Sequence, residues 1–388
     1  MNLLFDEEQK LLQKSARDFM EKEIIPLADS YDRKYRPLSL EQSRELFGKI
    51  APLGFLGGMV NEKDGGGGLD TLSYAILLEE LSRAYGSLAL MSFVQHISGS
   101  MLIALEGSED HKRKYLPSLM SGDLIVCYAI TEPDTGSGAR DIKTQADLSG
   151  GRYTINGTKT WITNGTVAEL VVLVARVKGK DGKWEFCRFL VDKRDSPYTV
   201  RDLPKMGFCS CPTAEMAFDD CKVPVHNVLG KPGEGYEKTM EIFQLFRSSL
   251  AVMAVGLSQA SLDAAVKYAK ERKQFGKPIA KFQLIQNMLV DMAIETQAAR
   301  LLTYQAFQTV GSGARPIQSV SMAKTYAIES AIRITSKGMQ VHGAYGLSEE
   351  FSLERFFRDA RTLTIPDGTT EMQRLLVGRE MLGLSAFV

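Results

Sequence analysis

The sequence predicts an α+β protein in which helices and strands are segregated into successive domains. Three stretches of the 388 residues differ in the spacing of their apolar side chains. Residues 1–125 have helical spacing, residues 126–230 have short strand-like runs between turns, and residues 231–388 return to helical spacing over longer segments. Strands and helices do not alternate, and no Gly-x-Gly-x-x-Gly motif follows a first strand, so the pattern excludes a Rossmann fold.

The N-terminal domain, residues 1–125, is predicted to be helical. Leu12, Ala16, Phe19 and Met20 recur at helix spacing, and Pro26 is expected to end that helix. A second helical pattern covers residues 72–81. Both patterns indicate a first domain built from packed helices.

The central domain, residues 126–230, is predicted to be antiparallel β-structure. Asn156-Gly157 lies between two strand-like runs, 152–155 and 158–163, and predicts a hairpin turn because both residues tolerate positive φ. Residues 170–175 and 185–191 are further candidate strands. Strands joined by short turns favour a small barrel or sandwich.

The C-terminal domain, residues 231–388, is predicted to be a helix bundle. Phe246, Leu250, Met253 and Leu257 lie on one face of a long helix, and residues 283–308 and 319–340 form further helices. Long antiparallel helices with short connections pack as a bundle.

The composition is typical of a globular protein. Hydrophobic residues make up 44% and charged residues 24%, and the formal net charge is zero. Zero net charge argues against nucleic acid or an anionic membrane as the main partner. We expect no membrane-spanning run, and the acid-containing start at 1–8 is unlike a signal or transit peptide. These observations predict a cytoplasmic protein.

The cysteines and histidines do not have the spacing of a metal site. Five cysteines include the close pair Cys209 and Cys211, which is too tight for a Cys-x-x-Cys zinc hairpin, and the four histidines are scattered. We expect reduced thiols and no bound metal.

Five short motifs occur in a fixed order along the chain. They are Thr-Glu-Pro-Asp-Thr-Gly-Ser-Gly at 131–138, Trp-Ile-Thr-Asn-Gly at 161–165, Arg-Lys-Gln-Phe-Gly at 272–276, Gln-Val-His-Gly at 340–343, and Ile-Pro-Asp-Gly-Thr-Thr-Glu at 365–371. In this order the motifs resemble the acyl-CoA dehydrogenase family over essentially the whole chain. The resemblance implies an N-terminal helical domain, a central antiparallel β-domain and a C-terminal four-helix bundle.

The resemblance also implies a cofactor, a substrate and partners. FAD is expected in a cleft between the last two domains and a neighbouring subunit, which predicts at least a dimer and, in this family, a homotetramer. An acyl-CoA is the expected substrate, and an electron-transfer flavoprotein is the expected electron acceptor.

Asp367 occupies the position of the family's catalytic base, which is usually Glu. Phe246 stands where a branched-chain subgroup carries its base, and the stretch 87–93, where a related group has an aspartate, contains no acid. The resemblance therefore assigns Asp367 the α-proton, while hydride leaves the β-carbon for flavin N5. A carboxylate suits this role because burial raises its pKa towards the working pH.

The aspartate shortens the base by one methylene, about 1.5 Å. An acyl group whose α-carbon lies closer to the backbone would fit this shorter arm, as a bulky alicyclic group does. The resemblance is closest to the anaerobic bacterial dehydrogenases of cyclohexane-1-carboxyl-CoA, including the stretch 205–212. We expect 1,2-dehydrogenation of the saturated ring to cyclohex-1-ene-1-carboxyl-CoA.

The resemblance carries over a set of ligand contacts. Hydroxyl and amide groups in the 131–138 loop can bind a polar ring edge, an aromatic side chain can shield a flavin, and arginine can hold a pyrophosphate. The implied FAD contacts are Ala129, Ile130, Thr131, Gly136, Ser137, Trp161, Ile162, Thr163, Arg272, Gln274, Phe275, Gln283, Gln340, His342, Gly343, Ala344, Thr369 and Glu371. The implied substrate contacts are Ser137, Gln244, Arg247 and Gly368. His342 departs from the family's usual Phe, and we favour packing over hydrogen bonding to the cofactor.

Other interpretations stay open at this point. The enzyme alternatives are a dehydrogenase of short or branched acyl-CoAs, an oxidase that uses O₂, and the reverse reaction, substrate reduction. A different class is a non-catalytic flavoprotein scaffold, in which Asp367 is only a loop acid. Taken alone, Trp161 is also compatible with a buried core residue.

Overall fold

The computed structural model describes residues 5–179 and 181–386. Its N-terminal part is helical, as predicted. The helices are α1 (Glu7–Phe19), α2 (Ile25–Asp32), α3 (Leu40–Ile50), α4 (Thr71–Ala84), α5 (Gly86–Val94), α6 (Leu102–Glu106) and α7 (Glu109–Ser121). Two π-helical segments, Met20–Ile24 and Gln95–Met101, join α1 to α2 and α5 to α6.

Pro26 does not end the first helix, contrary to the sequence prediction. The chain passes from α1 through the π-helical segment into α2, and Pro26 lies in the first turn of α2. A proline is tolerated there because its missing N–H has no partner to lose in a first turn. The apolar face of this segment stays buried through Ala16, Met20 and Ile24.

The central domain is a mostly antiparallel sheet. Its strands are β1 (Val126–Ala129), β2 (Gln145–Ser149), β3 (Arg152–Thr163), β4 (Leu170–Lys178), β5 (Trp184–Asp192), β6 (Thr199–Asp202), β7 (Thr213–Pro224) and β8 (Val228–Leu229). They are ordered β6-β7-β3-β2-β4-β5-β8, and β1 pairs in parallel with β4. β3 and β4 carry alternating or continuous buried residues that form the core of this domain.

The Asn156-Gly157 hairpin prediction is wrong. Both residues lie inside the continuous strand β3, where the register against β7 shifts between Ile155 and Gly157. The tight turn is instead at Gly150 and Gly151, which link β2 to β3 with φ of 57° and 74°. Glycine is needed at 157 because a Cβ there would lie 2.4 Å from Thr144 Oγ1. The Asn156-Gly157 pair therefore indicates a β-bulge at which another segment of the chain approaches the backbone closely.

The C-terminal part is a helix bundle, as predicted. It consists of α8 (Gly235–Glu271), α9 (Gln283–Gly311), α10 (Ile317–His342), α11 (Leu353–Thr362) and α12 (Thr370–Leu382). A two-stranded ribbon, β9 (Lys273–Gln274) and β10 (Lys277–Pro278), separates α8 from α9. α10 packs against α8, α9 and α12, and α4 packs against α8 and α9, so the two helical domains share a core.

Two helical stretches are long and apolar enough to cross a membrane, which corrects the expectation that no such run exists. They are Gly86–Glu106 and Gly235–Glu271. Most of each apolar window, 83% and 72%, is buried inside the protein. Their apolar character is therefore accounted for by the shared core of the two helical domains.

Candidate active site

A cavity of about 300 Å³ lies where the three parts of the chain meet. Its walls come from α5, the end of β1 with the following loop, the end of β3, the middle of α8, and the loop between α11 and α12. The structure brings these predicted residues together in the walls: Ile130, Thr131, Gly136, Ser137, Trp161, Ile162, Thr163, Asp367, Gly368 and Thr369. Motifs that lie more than two hundred residues apart in sequence thus share one cavity.

Asp367 lies in a tight loop at the cavity wall. Its φ is 55°, a left-handed conformation that aspartate tolerates better than most residues. Thr369 caps α12 directly after this loop, and the Thr370 amide donates to the Thr364 carbonyl at 3.2 Å. A helix end and a helix start therefore define the position of the Asp367 backbone.

Three side chains hold the carbonyl oxygens of this loop. Arg247 Nε donates to the Asp367 carbonyl at 3.1 Å, and Gln373 Nε2 donates to the Gly368 carbonyl at 3.1 Å. Lys324 Nζ donates to the Pro366 carbonyl at 2.6 Å and to the Gly368 carbonyl. The loop is thus fixed from α8, α10 and α12 at once.

The Asp367 carboxyl has an electrostatic environment suited to proton transfer. Burial raises its pKa above the usual range of an aspartate, and the facing charges of Lys324 and Arg247 offset this only in part. The side chain is half-buried, because part of its surface opens on the cavity. A carboxylate in this environment is a stronger base than one in water, so the arrangement can accept a proton from a bound molecule.

The loop at residues 131–137 is held by a buried ion pair that sequence reasoning missed. Lys159 Nζ donates to Glu132 Oε1 and to the Ile130 carbonyl, both at 2.8 Å, and Lys159 is fully buried. Glu132 Oε1 also accepts from the Thr144 amide at 2.9 Å. This network fixes the base of the loop, and its hydroxyl-bearing tip faces the cavity.

These walls fit a flavin ring. A Cβ added at Gly136 would meet nothing within 4 Å, so there is open space in front of the loop. Trp161 has a φ of 61° and is 58% exposed although it lies in a strand, which leaves an aromatic face uncovered beside the cavity. The loop can donate hydrogen bonds to the edge of a planar heteroaromatic ring, and the indole offers such a ring an apolar surface.

The cavity walls include a cluster of four aromatic rings around Phe246, here called the aromatic cage. The ring centroids of Phe93 and Phe246 are 5.7 Å apart, those of Tyr128 and Phe246 5.9 Å, and those of Phe243 and Phe246 5.4 Å. The Tyr128 hydroxyl is hydrogen bonded to Thr239 Oγ1 at 2.7 Å, so its polar atom is satisfied within the protein. The cage therefore offers apolar ring surfaces to a ligand.

Some predicted contacts lie beside this cavity but outside its walls. Ala129 is buried in the β-domain core, and Glu371 lies exposed on the first turn of α12. Gln244 is buried on α8, where its Nε2 donates to the Met240 carbonyl at 3.2 Å. In the described part of the chain Gln244 Oε1 has no hydrogen-bond partner, so a polar acceptor is left over close to the predicted substrate contacts.

A second group of predicted cofactor contacts lies at the far end of α8. Arg272 follows Arg247 by roughly 25 residues, which is about 37 Å along a helix. Phe275 is 85% exposed on the β9–β10 ribbon. The other members of this distant group are Gln274, Gln283, Gln340, His342, Gly343 and Ala344. One chain cannot bring both groups to the same ring.

His342 packs within the protein. It is buried, stacks on Tyr268 with ring centroids 4.2 Å apart, and its Nδ1 is 2.9 Å from the Gly338 carbonyl. Burial lowers the pKa of the imidazole, which keeps the ring neutral. These contacts agree with the packing interpretation.

The helix–sheet–helix architecture places a carboxylate-bearing cavity at the junction of the three domains. Family models of the N-terminal, middle and C-terminal domains of acyl-CoA dehydrogenase match residues 6–123, 127–221 and 233–382. The chain belongs to the acyl-CoA dehydrogenase family.

Similar proteins cover the whole length of the chain. A 3-(aryl)acrylate reductase of Clostridium sporogenes is 36% identical, over 98% of this chain and 100% of the relative. A caffeyl-CoA reductase–Etf complex subunit of Acetobacterium woodii is also 36% identical, with the same coverage. A glutaryl-CoA dehydrogenase of Mycobacterium smegmatis, solved in complex with FADH2, superposes with a TM-score of 0.91 at 27% identity, over 99% of this chain and 97% of that one.

Proposed function

We propose that this protein catalyses FAD-dependent α,β-dehydrogenation of cyclohexane-1-carboxyl-CoA to cyclohex-1-ene-1-carboxyl-CoA. The observation that carries the proposal is the chemistry of the cavity walls. Among the described residues lining the cavity, Asp367 is the one charged side chain, and it shares the walls with the aromatic cage. A single carboxylate beside an apolar, compact space suits removal of a proton from an uncharged, bulky acyl group.

Asp367 removes the α-proton in this proposal. The acidity of that proton depends on hydrogen bonds to the thioester carbonyl, for which the Gly368 amide is the protein donor, because such bonds stabilise the developing enolate. The aromatic cage excludes water and so keeps the carboxylate basic. Lys324 and Arg247 face the carboxylate and limit the rise of its pKa.

Bound FAD supplies the acceptor for the hydride that leaves the β-carbon. The residues that would hold its ring are Thr131, Gly136, Ser137, Trp161 and Thr163. The distant group around Arg272 and Phe275 would hold the FAD of a neighbouring subunit, which explains why that group lies far from its own cavity. The assembly is then at least a dimer, and a homotetramer in our proposal.

The shape of the cavity supports a cyclic acyl group over a charged or an extended one. Among the described residues no cation lines the walls, so a terminal carboxylate would be buried without a partner at a cost of several kcal/mol. The rings of Phe93, Tyr128 and Phe246 line the space with apolar surface, which suits a compact alicyclic ring.

Reduction of an arylacrylyl-CoA is a second candidate function. The aromatic cage also suits an aryl ring, and two 36% identical relatives are named as reductases of arylacrylate or caffeyl-CoA. The same residues serve both directions, since Asp367 would return the proton that it removes in the forward reaction. An electron-transfer flavoprotein is the proposed redox partner, as the name of one of these relatives includes an Etf complex.

Anaerobic mixing of the flavin-loaded protein with a panel of acyl-CoAs tests the proposal. Cyclohexane-1-carboxyl-CoA should bleach the flavin absorbance fastest, butyryl-CoA and isobutyryl-CoA more slowly, and glutaryl-CoA least. Faster bleaching by butyryl-CoA or isobutyryl-CoA would overturn the alicyclic assignment in favour of a short- or branched-chain enzyme. Reoxidation of the reduced protein by 3-phenylacrylyl-CoA, without bleaching by any saturated substrate, would favour the reductase. Peroxide formation in air identifies an oxidase, and a flavin that responds to no acyl-CoA identifies a scaffold.

A further inference from the structure

We propose that Lys324 is a positioning residue for the catalytic base: it holds the loop on both sides of Asp367 and places a positive charge behind the carboxylate. The inference rests on the proposed function, because it takes Asp367 as the base. It adds a role for a residue on α10 that does not line the cavity.

The hydrogen bonds of Lys324 flank Asp367. Lys324 is fully buried, and its ammonium donates to the Pro366 carbonyl at 2.6 Å and to the Gly368 carbonyl. These residues immediately precede and follow Asp367. One side chain thus restrains the peptide on each side of a residue whose φ is 55°.

Burial of an ammonium costs free energy, and two carbonyl oxygens can be bound without a charge. The positive charge of Lys324 therefore needs a separate explanation. Transfer of an unpaired ammonium into a protein interior is unfavourable, and a neutral donor could make the same hydrogen bonds. The charged groups that face Lys324 are Asp367 on the loop and Arg247 on α8. Burial lowers the pKa of Lys324 to about 7, Asp367 raises it and Arg247 lowers it. The carboxylate of Asp367 is therefore the charge that favours the ammonium form of Lys324, and it offsets the effect of burial only in part.

Gln373 provides a neutral counterpart that holds the same loop. Its Nε2 donates to the Asp367 carbonyl at 3.3 Å and to the Gly368 carbonyl at 3.1 Å, and it is fully buried. Ser321, one turn before Lys324 on α10, donates to Gln373 Oε1 at 3.0 Å. Gln373 and Lys324 thus share the anchoring of the loop, but only Lys324 carries a charge.

This division of roles leads to different expectations for the two residues. Loss of either anchor lets the Asp367 carboxylate move, and a displacement of about 1 Å can cost on the order of 100-fold in rate. Loss of Lys324 also removes the positive charge that lowers the pKa of Asp367 the most, so the pKa of Asp367 should rise further. Arg247, with Tyr236 and Arg379 facing it, remains in both cases.

The experiment compares Lys324→Met with Gln373→Met in the flavin-loaded protein. Flavin reduction by a saturated acyl-CoA is followed by rapid mixing across the pH range. Both variants should reduce the limiting rate by about 10- to 100-fold with a smaller effect on the substrate concentration needed for half-saturation. Only Lys324→Met should move the acid limb of the rate profile to higher pH. An unshifted limb, or equal shifts in both variants, would show that Lys324 is only a structural anchor.

A second readout does not depend on activity. In a double-mutant cycle of Lys324→Met and Asp367→Asn, urea unfolding should give a coupling free energy that differs from zero, because each group compensates the charge of the other. Additive effects would contradict the proposal. If Lys324→Met does not fold, Lys324→Gln keeps a donor for one carbonyl and is tested in the same way. Failure of the proposed function is distinguishable whatever Lys324→Met does: a misassigned base leaves Asp367→Asn fully active, and a wrong substrate shows in the acyl-CoA panel.

Discussion

Lengthening the proposed base by one methylene should shift the substrate preference from cyclic to linear acyl-CoAs. Asp367→Glu extends the carboxylate by about 1.5 Å from a backbone that is held on α8, α10 and α12. Because these hydrogen bonds hold the loop in place, the longer side chain should bring the carboxylate too close to an acyl group bound in the aromatic cage. A misplacement of about 1 Å costs on the order of 100-fold, or about 2.7 kcal/mol of transition-state stabilisation.

The assay is anaerobic flavin reduction by cyclohexane-1-carboxyl-CoA and by butyryl-CoA. Asp367→Glu should lose about 100-fold with the cyclic substrate and gain with the linear one, whose α-carbon we expect to lie farther from the loop. Asp220→Glu is the matched control: Asp220 also has positive φ, 47°, but lies exposed outside the cavity walls. It reports the backbone cost of glutamate in this conformation, about 1 kcal/mol of stability. An equal change with both substrates would refute the idea that arm length sets specificity.

Three further predictions follow from the same structure. The pKa of Asp367 is raised, so kcat/KM should fall as the pH drops through a value above the usual aspartate pKa near 4, which a pH–rate profile measures. The raised pKa also affects the stability of the fold. The contribution of this carboxyl to stability is complete below about pH 4 and is lost as the pH rises through its folded pKa. Gly157→Ala should destabilise the protein by about 1–3 kcal/mol in urea unfolding, because its Cβ would meet Thr144, whereas Gly48→Ala on the exposed side of α3 should be neutral or stabilising. Arg272→Ala should lower the FAD bound per chain, measured by absorbance, and leave the unfolding of the FAD-free protein unchanged.

The order of domains was predictable because it depends on local periodicity. Helical spacing in residues 246–257 and the strand-like runs at 170–175 and 185–191 correspond to α8, β4 and β5. Such patterns indicate which face of an element is buried, and the burial of apolar surface is the main force that stabilises the fold. The motif at 365–371 could also be recognised in the sequence, since the residues of this loop are consecutive.

The failures occurred where tertiary contacts override local signals. Asn156-Gly157 has the composition of a turn, but the approach of Thr144 makes Gly157 a bulge within β3. Pro26 has the composition of a helix stop, but a π-helical segment lets it begin the next helix. The local conformational preference of such residues is worth about 1 to 3 kcal/mol, and the free energy of tertiary packing can exceed it.

Lys324 illustrates what the sequence could not reveal at the candidate site. A lysine within a helical pattern is normally solvent-exposed, and nothing in its neighbourhood indicates burial. Its partners, Pro366 and Gly368, lie more than forty residues later. The Lys159–Glu132 pair and the Ser321–Gln373 hydrogen bond were missed for the same reason, because they link segments that are distant in sequence.

The measurement that tests the central claim most directly is flavin reduction in Asp367→Asn. Asparagine has the size of aspartate and tolerates positive φ, so the loop should keep its conformation while the base is removed. We expect the rate of flavin bleaching by cyclohexane-1-carboxyl-CoA to fall by about 100- to 10,000-fold, with FAD still bound. A variant that bleaches at the parent rate would contradict the assignment of Asp367 as the base.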